Sequence, residues 1–254
     1  MAGGKQEGKD AVRDAVRYRY AEIALSGSSC CGGSSCCGST APEAQTAQLD
    51  HLERTAGDAQ SLKLGYSEED LAAVPEGAGA GFDCFLAARA VGPEGLVIGV
   101  DMTPEMVVKA RENARRSGCG NVDFRLGEIE HLPIVDNTAD VIISNCVINL
   151  SPDKAQVYRE AFRVLKPGGR LAVSDVVATA ELPQEWREDM RLLSACISGA
   201  SSAAEVEEML RDAGFVDIVI QPKDQSREFI QEWEPGRNLE DYVLSANMTA
   251  VKPG

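Results

Sequence analysis

The sequence predicts an α/β fold in which a doubly wound, mostly parallel, Rossmann-like sheet is covered by helices. Two observations predict it. From residue 82 onward, apolar runs of strand length alternate with longer runs of helical spacing, and the connections between them are short. The longer runs also have helix boundary signals, such as Thr103 and Pro104 before one run and Gly118 after it.

The same signals place each element in order. Runs of apolar and β-branched residues predict strands at 96–101, 121–127, 139–145 and 170–177, with a closing pair at 216–222 and 242–251. Helical spacing predicts helices at 10–25, 82–92, 103–118, 151–169, 183–196 and 202–214. We expect Ser151 to cap its helix and Ser202 to form a capping box with Glu205. A weak helix is predicted at 67–74, and the last strand should be antiparallel.

Composition narrows the range of functions. The chain has 254 residues, with 25 Lys and Arg against 40 Asp and Glu, and a net charge of −15. Nucleic-acid binding leaves a basic footprint, so we expect no nucleic acid and a small substrate. No run approaches the roughly 18 apolar residues of a membrane span, so no membrane contact is expected. The N-terminus lacks the apolar segment of a signal peptide, which predicts a cytoplasmic location.

Three parts are predicted from these patterns. Residues 1–66 form an N-terminal helix followed by a Cys/Gly/Ser-rich arm, residues 67–180 form the cofactor-binding Rossmann-like core, and residues 181–254 hold C-terminal helices and the closing strands. The chain has eight cysteines. Without a signal peptide, these favour metal, redox or catalytic roles over a disulfide framework.

The candidates for cofactor binding lie where parallel strands should end. Gly77, Gly79 and Gly81 form a glycine loop of the type that lets a backbone approach a nucleotide. Asp101 ends the next strand, where an acid can accept hydrogen bonds from both ribose hydroxyls; alternatively, it stabilises the N-terminus of the helix that begins at Thr103. The remaining candidates at the strand ends are Met102, Gly127, Glu128, Ile129 and Asn145.

Longer motifs carry a specific resemblance. The segments GFDCFLAARAVGPEG, VIGVDMTPEMVVKARENAR, FRLGEIEHLP, DVIISNCVINLSPDK and EAFRVLKPGGRLAVSDVV closely resemble arsenite S-adenosylmethionine methyltransferases. The resemblance runs from about Tyr66 through Pro253. Other class I methyltransferases share the loop, the acid and LKPGGRL, but not SNCVINLSP. The resemblance implies a class I methyltransferase sheet, S-adenosyl-L-methionine as the cofactor, and methylation of trivalent arsenic for detoxification.

The resemblance also implies a role for two cysteines. Cys146 in SNCVINL and Cys196 in LLSACISGA match cysteines that hold As(III) with its lone pair facing the sulfonium methyl group, so they are the implied catalytic and arsenic-binding residues. Thiolates suit a soft, thiophilic centre. Methyl transfer is then an in-line displacement governed mainly by positioning. The implied partners are arsenite or its thiol conjugates and a thiol reductant, glutathione or thioredoxin.

The other cysteines have simpler interpretations. Cys84 is expected to be a small buried hydrophobe, and Cys119 an ordinary loop thiol. Family members carry similar N-terminal cysteine pairs, so the four cysteines of the arm serve either for capture or redox relay, or simply as part of a thiol-rich linker. These four are Cys30, Cys31, Cys36 and Cys37.

One part of the family pattern is missing. Family members have an apolar strand before the glycine loop and, further upstream, a helix and a Gly-Cys-Gly motif with a third conserved cysteine. Here the residues at 67–76, SEEDLAAVPE, are acidic and helix-like. We therefore predict that the first core strand is deleted. Its neighbours would expose unpaired backbone groups unless another segment fills the slot.

Two alternative functions stay open at this point. The first is a non-catalytic thiol protein that binds As(III) or another soft ion and has no affinity for the cofactor. The second is a methyltransferase with a small organic acceptor, whose turnover would not depend on Cys146 and Cys196. The arsenite methyltransferase interpretation predicts both cofactor binding and methylated arsenic products.

Overall fold

A computed structural model of the chain describes residues 3–26, 74–76, 79–194, 196–231, 233–234 and 236–254. Gly77, the four cysteines of the N-terminal arm and residues 67–73 of the predicted weak helix lie outside these ranges.

Within the described ranges, seven strands form one mixed sheet with the order β3-β2-β1-β4-β5-β7-β6. The strands are β1 (Val74–Glu76), β2 (Val97–Asp101), β3 (Val122–Leu126), β4 (Ala139–Asn145), β5 (Leu165–Ala178), β6 (Val216–Pro222) and β7 (Val243–Val251). Strands β1 to β5 are parallel to one another, whereas β7 is antiparallel to both β5 and β6. The predicted mostly parallel sheet with an antiparallel last strand is confirmed.

Helices connect these strands. They are α1 (Gly3–Ser26), α2 (Phe82–Val91), α3 (Pro104–Ser117), α4 (Lys154–Val164), α5 (Gln184–Arg187), α6 (Met190–Ser194), α7 (Ala203–Ala213) and α8 (Arg227–Ile230). The capping box of Ser202 and Glu205 at the start of α7 is present as predicted. No helix in the described part of the chain combines the length and apolar character needed to cross a membrane.

The slot of the first strand is filled. Val74–Glu76 runs parallel between β2 and β4, with Glu76 opposite Val100 and Val74 opposite Ile142. The expectation that nothing before the glycine loop forms a strand is therefore wrong, as is a helix that includes residue 74. β1 has 3 residues beside the 5 of β2 and the 7 of β4, so it pairs with only part of each neighbour. The predicted deletion of the family's own first strand, with another segment in its slot, stays a prediction.

Three predicted boundaries also differ from the structure. Asp153 caps α4 in place of Ser151, because its side chain accepts a hydrogen bond from the Gln156 backbone N–H at 3.2 Å. β5 begins at Leu165 instead of residue 170, because Leu165 pairs with Ala139 ahead of a register shift. The helix predicted at 183–196 is divided into α5 and α6.

Both faces of the sheet are covered. In β2, Ile98 and Val100 belong to the core cluster that includes residues of α4 and α7, whereas Val97 packs with residues of α2 and α3. Gly99 is needed on that second side, because an added Cβ would lie 2.6 Å from the Phe124 ring. With both faces buried, the carboxyl ends of the parallel strands are the edge where ligands bind in such sheets.

Candidate active site

Two glycines of the predicted loop, Gly79 and Gly81, lie directly before α2. Gly79 and Gly81 have φ angles of 48° and 98°, which lie in the left-handed region that favours glycine. A Cβ on Gly81 would also lie 2.8 Å from the rings of Phe85 and Phe124. The loop therefore depends on glycine for conformation at both positions, and for space at Gly81 only.

Asp101 ties this loop to the end of β2. Its carboxylate accepts hydrogen bonds from the backbone N–H of Gly79 at 2.9 Å and of Thr103 at 2.8 Å. Burial raises the pKa of Asp101, partly offset by these hydrogen bonds. Asp101 thus does stabilise the start of α3, as the alternative interpretation expected. The Asp101 carboxylate also has a side-chain hydrogen bond with Thr103. A carboxylate has about four lone-pair sites, so about one remains for a ribose hydroxyl.

The turn after β3 closes the other side of this region. Gly127 donates its backbone N–H to the carbonyl of Asp101 at 3.0 Å, and a Cβ there would lie 2.7 Å from Pro133. Ile129 is half-buried against the core. Glu128 is engaged by α1: its carboxylate pairs with Arg17, and Arg13 lies 3.5 Å from its Oε2.

Asn145 contributes a polar group at the end of β4. Its side chain hydrogen-bonds Asp83 in the first turn of α2, and burial raises the pKa of that Asp83 carboxyl. The Asn145 Oδ1 atom is buried, and no described residue donates a hydrogen bond to it. A buried acceptor of this kind normally has a partner, so a donor from a ligand is expected here. The glycines, Asp101 and Asn145 fit a nucleoside cofactor.

The two predicted arsenic-binding cysteines meet beside Asn145. Cys146 follows β4 and is exposed, whereas Cys196 is 4% exposed in the loop after α6. The Cys196 thiol donates to the backbone carbonyl of Cys146 at 2.9 Å. Both residues have positive φ, 52° and 62°, and neither is in a disulfide. Met102, predicted for the cofactor, packs against the same cluster as Cys196, so the two predicted sites adjoin.

The described residues contain no group of three or more His, Cys, Asp or Glu side chains arranged to hold a metal ion. Cys84 is fully buried in the core, and burial raises the pKa of its thiol, which confirms its interpretation as a small hydrophobe. Cys119 lies just after α3.

Two groups of functional interest were missed from the sequence. The first is the pair Arg13 and Arg17 on α1, whose spacing of four residues places both on one helix face. The second is Asp175, fully buried in β5 and bonded to Asn149. An acid inside the apolar run LAVSDVV was a signal for a buried polar contact, because such a charge needs a partner.

Comparison with known proteins agrees with this geometry. The family described as Methyltransferase domain matches residues 68–214. An arsenite methyltransferase from Halobacterium salinarum is 44% identical over an alignment 268 residues long, gaps included, which covers 95% of this chain and 67% of that protein. The human arsenite methyltransferase is 41% identical over 148 residues, covering 55% of this chain and 40% of that protein. The chain thus spans about two thirds of the first relative and less than half of the second.

Solved structures show the same relationship. The arsenic(III) S-adenosylmethionine methyltransferase CrArsM from Chlamydomonas reinhardtii is 35% identical with a TM-score of 0.57, covering 72% of this chain and 63% of that one. A phosphoethanolamine N-methyltransferase from Haemonchus contortus, solved with S-adenosyl-L-methionine, shares the fold at 19% identity and a TM-score of 0.58, covering 81% of this chain and 60% of that one.

The fold, the glycine loop and the acid after β2 define the class of this protein, which is an S-adenosylmethionine-dependent methyltransferase. Within that class, the likeness to an arsenite methyltransferase covers 95% of the chain. The chain belongs to the arsenite methyltransferase family.

Proposed function

We propose that this protein transfers the methyl group of S-adenosyl-L-methionine to trivalent arsenic held by Cys146 and Cys196. The observation that carries the proposal is the contact between the two cysteines at the sheet edge, 2.9 Å from Sγ of Cys196 to the carbonyl of Cys146. Two cysteines whose residues are in contact suit a soft centre, because thiolates are its preferred ligands.

The positions of the cysteines support their use as ligands. Cys146 is exposed, so arsenite can reach it first, and the buried Cys196 then completes the chelate. A trivalent centre bound by two cysteines keeps one further ligand, which supports an external thiol as partner. The predicted thiol reductant, glutathione or thioredoxin, would also keep both cysteines reduced, and the predicted cytoplasmic location supplies such thiols.

When bound, S-adenosyl-L-methionine supplies an electrophilic methyl group. Asp101 would accept from the ribose, Gly127 would give the base close access to the backbone, and Asn145 Oδ1 would accept a hydrogen bond that it lacks within the described residues. These residues lie at the ends of β2, β3 and β4, which supports a cofactor core at 67–180. The arm at 1–66 precedes this core in the proposed division, and a substrate-cysteine part at 181–254 follows it.

The test is a methyl-transfer assay on the reduced full chain. Arsenite, S-adenosyl-L-methionine and glutathione are incubated with the protein, and methylated arsenic is measured by mass spectrometry. We expect product from the native chain. The rates of C146S and C196S should be lower by about 100-fold or by a larger factor. The matched control C119S removes a cysteine outside the site and should keep the native rate.

Other outcomes of the same assay would contradict the proposal. Arsenite binding without methylated product would indicate a non-catalytic thiol protein. Turnover that C146S and C196S leave intact, on an organic acceptor, would indicate a different substrate.

A further inference from the structure

Buried hydrogen bonds join Asn149, in the loop that follows Cys146, to Asp175 of β5. The Asp175 carboxylate accepts from the Asn149 side-chain amide at 2.9 Å and from the Asn149 backbone N–H at 3.3 Å. The same amide also donates to the carbonyl of Val176 at 2.7 Å. Asn149 and Asp175 are 5% and 3% exposed. The loop that carries Cys146 is thus bonded to β5 through side chains shielded from water.

A second contact holds the loop that carries Cys196. The Lys154 ammonium donates to the carbonyl of Gly199 and to the Ser201 hydroxyl, the latter at 3.0 Å. Gly199 lies against the first loop so closely that a Cβ would be 1.9 Å from the Asn149 carbonyl oxygen. The two cysteine loops are therefore packed backbone to backbone.

Both cysteines need such support because of their backbone conformation. Cys146 and Cys196 have positive φ, a strained conformation for residues other than glycine that persists only where surrounding contacts hold it. Cys146 is held further by its N–H, which donates to the carbonyl of Ser174 at 2.8 Å, next to Asp175. These contacts keep the two residues in one arrangement.

We propose that Asn149, Asp175 and Lys154 are positioning residues that set the spacing of the Cys146 and Cys196 thiols for As(III). The inference rests on the proposed function and deepens it. A chelate needs both thiolates at a fixed separation, and thiols held in that separation beforehand bind more tightly. None of the three side chains needs to touch the arsenic for this role.

Phenylarsine oxide is a suitable probe, because its arsenic is bound by two thiolates together. The test uses the full chain with Cys30, Cys31, Cys36 and Cys37 replaced by serine, so that the arm binds none of the probe. In this background, N149A should weaken phenylarsine oxide binding by about 10- to 100-fold, because the thiol spacing is no longer fixed. K154M should act in the same direction, and K154R should restore part of the affinity.

Two readouts separate positioning from general damage. Alkylation of the exposed Cys146 by iodoacetamide needs one thiol only, so its rate should not fall in N149A. Affinity for S-adenosyl-L-methionine should be unchanged. R159M is the matched control for K154M, because Arg159 is exposed on the same helix.

Unchanged phenylarsine oxide affinity in folded N149A or K154M would overturn the inference, and so would a parallel loss of affinity for the cofactor. If N149A does not fold, the phenylarsine oxide affinities of K154M and K154R test the inference instead. If the unaltered serine background binds no phenylarsine oxide, the proposed function itself fails, and the positioning role fails with it.

Discussion

The cofactor side and the cysteine side of the sheet edge are stabilised by different sets of contacts. On the cofactor side, β1 has three residues, and the glycine loop is tied down by Asp101 and by Asn113, whose amide donates to the carbonyl of Ala80 at 3.1 Å. On the cysteine side, six of the seven residues of β4 pair with β5, and Asn149 makes three buried hydrogen bonds.

This difference has a consequence for the chemistry. Under the proposed function, arsenic capture would depend on a region with many mutually supporting contacts, whereas cofactor binding would depend on a few. We expect a change on either side to affect its own ligand first, and the following changes test that separation in order of decreasing effect.

The largest expected effect concerns pH and the cysteine side. Burial raises the pKa of Asp175 from 3.8 to about 6, and Lys154 only partly offsets this. The pKa of Asp175 is higher in the folded protein than in the unfolded chain, so protonated Asp175 favours folding. This contribution is lost as the pH rises from about 4 to about 6, and the free energy of unfolding should fall by about 3 kcal/mol. Urea unfolding at pH 4 and pH 7 measures it. D175N should lack this part of the pH dependence. If the free energy of unfolding changes equally with pH in both proteins, Asp175 is not the group responsible.

On the cofactor side, D101A removes the tie between the glycine loop and β2 together with the proposed ribose acceptor. We expect affinity for S-adenosyl-L-methionine to fall by about 100-fold while phenylarsine oxide binding is unchanged. Calorimetry measures both ligands. D123A, on the neighbouring strand, is the matched control. Equal losses for the two ligands would contradict the separation of the two sides.

A change in the cap of α7 should affect neither ligand, although Ser202 directly follows Ser201, the partner of Lys154. S202A removes the capping box of α7 and should lower the free energy of unfolding by about 1 kcal/mol. Denaturant unfolding measures this loss, and calorimetry should show native affinities. A changed affinity for either ligand would mean that α7 is coupled to the sites.

The smallest effect concerns α1. Arg17 pairs with Glu128, and both side chains are partly exposed, so R17M should weaken cofactor binding by about two- to fivefold. R19M, an exposed position on the same helix, is the control. Equal behaviour of the two variants would show that the ion pair does not affect the cofactor site.

The sequence predicted most of the sheet because local signals and tertiary structure agree there. The apolar runs of β2 to β7, the glycine at 118 and the capping box all mark elements that form as expected. Prediction failed at β1, because SEEDLAAVPE has no apolar run and only the neighbouring strands give Val74–Glu76 its pairing. The late N-cap at Asp153 has a different reason, since the hydroxyl of Ser151 donates to the distant Glu130.

The structure brings several of the predicted site residues together, and their roles stay predictions. Gly79 and Asp101 are in contact, as are Cys146 and Cys196. Long-range contacts were beyond reach: neither the pairing of Arg17 with Glu128 nor that of Asn149 with Asp175 follows from spacing along the chain, since each joins distant segments.

The central claim is that one sheet edge holds both a working cofactor site and a two-thiolate site. Calorimetric titration of the purified, reduced full chain with S-adenosyl-L-methionine tests it most directly. We predict micromolar binding at one site, which would show that the glycine loop works beside a three-residue strand. Absence of binding in folded protein that still binds phenylarsine oxide would contradict the claim.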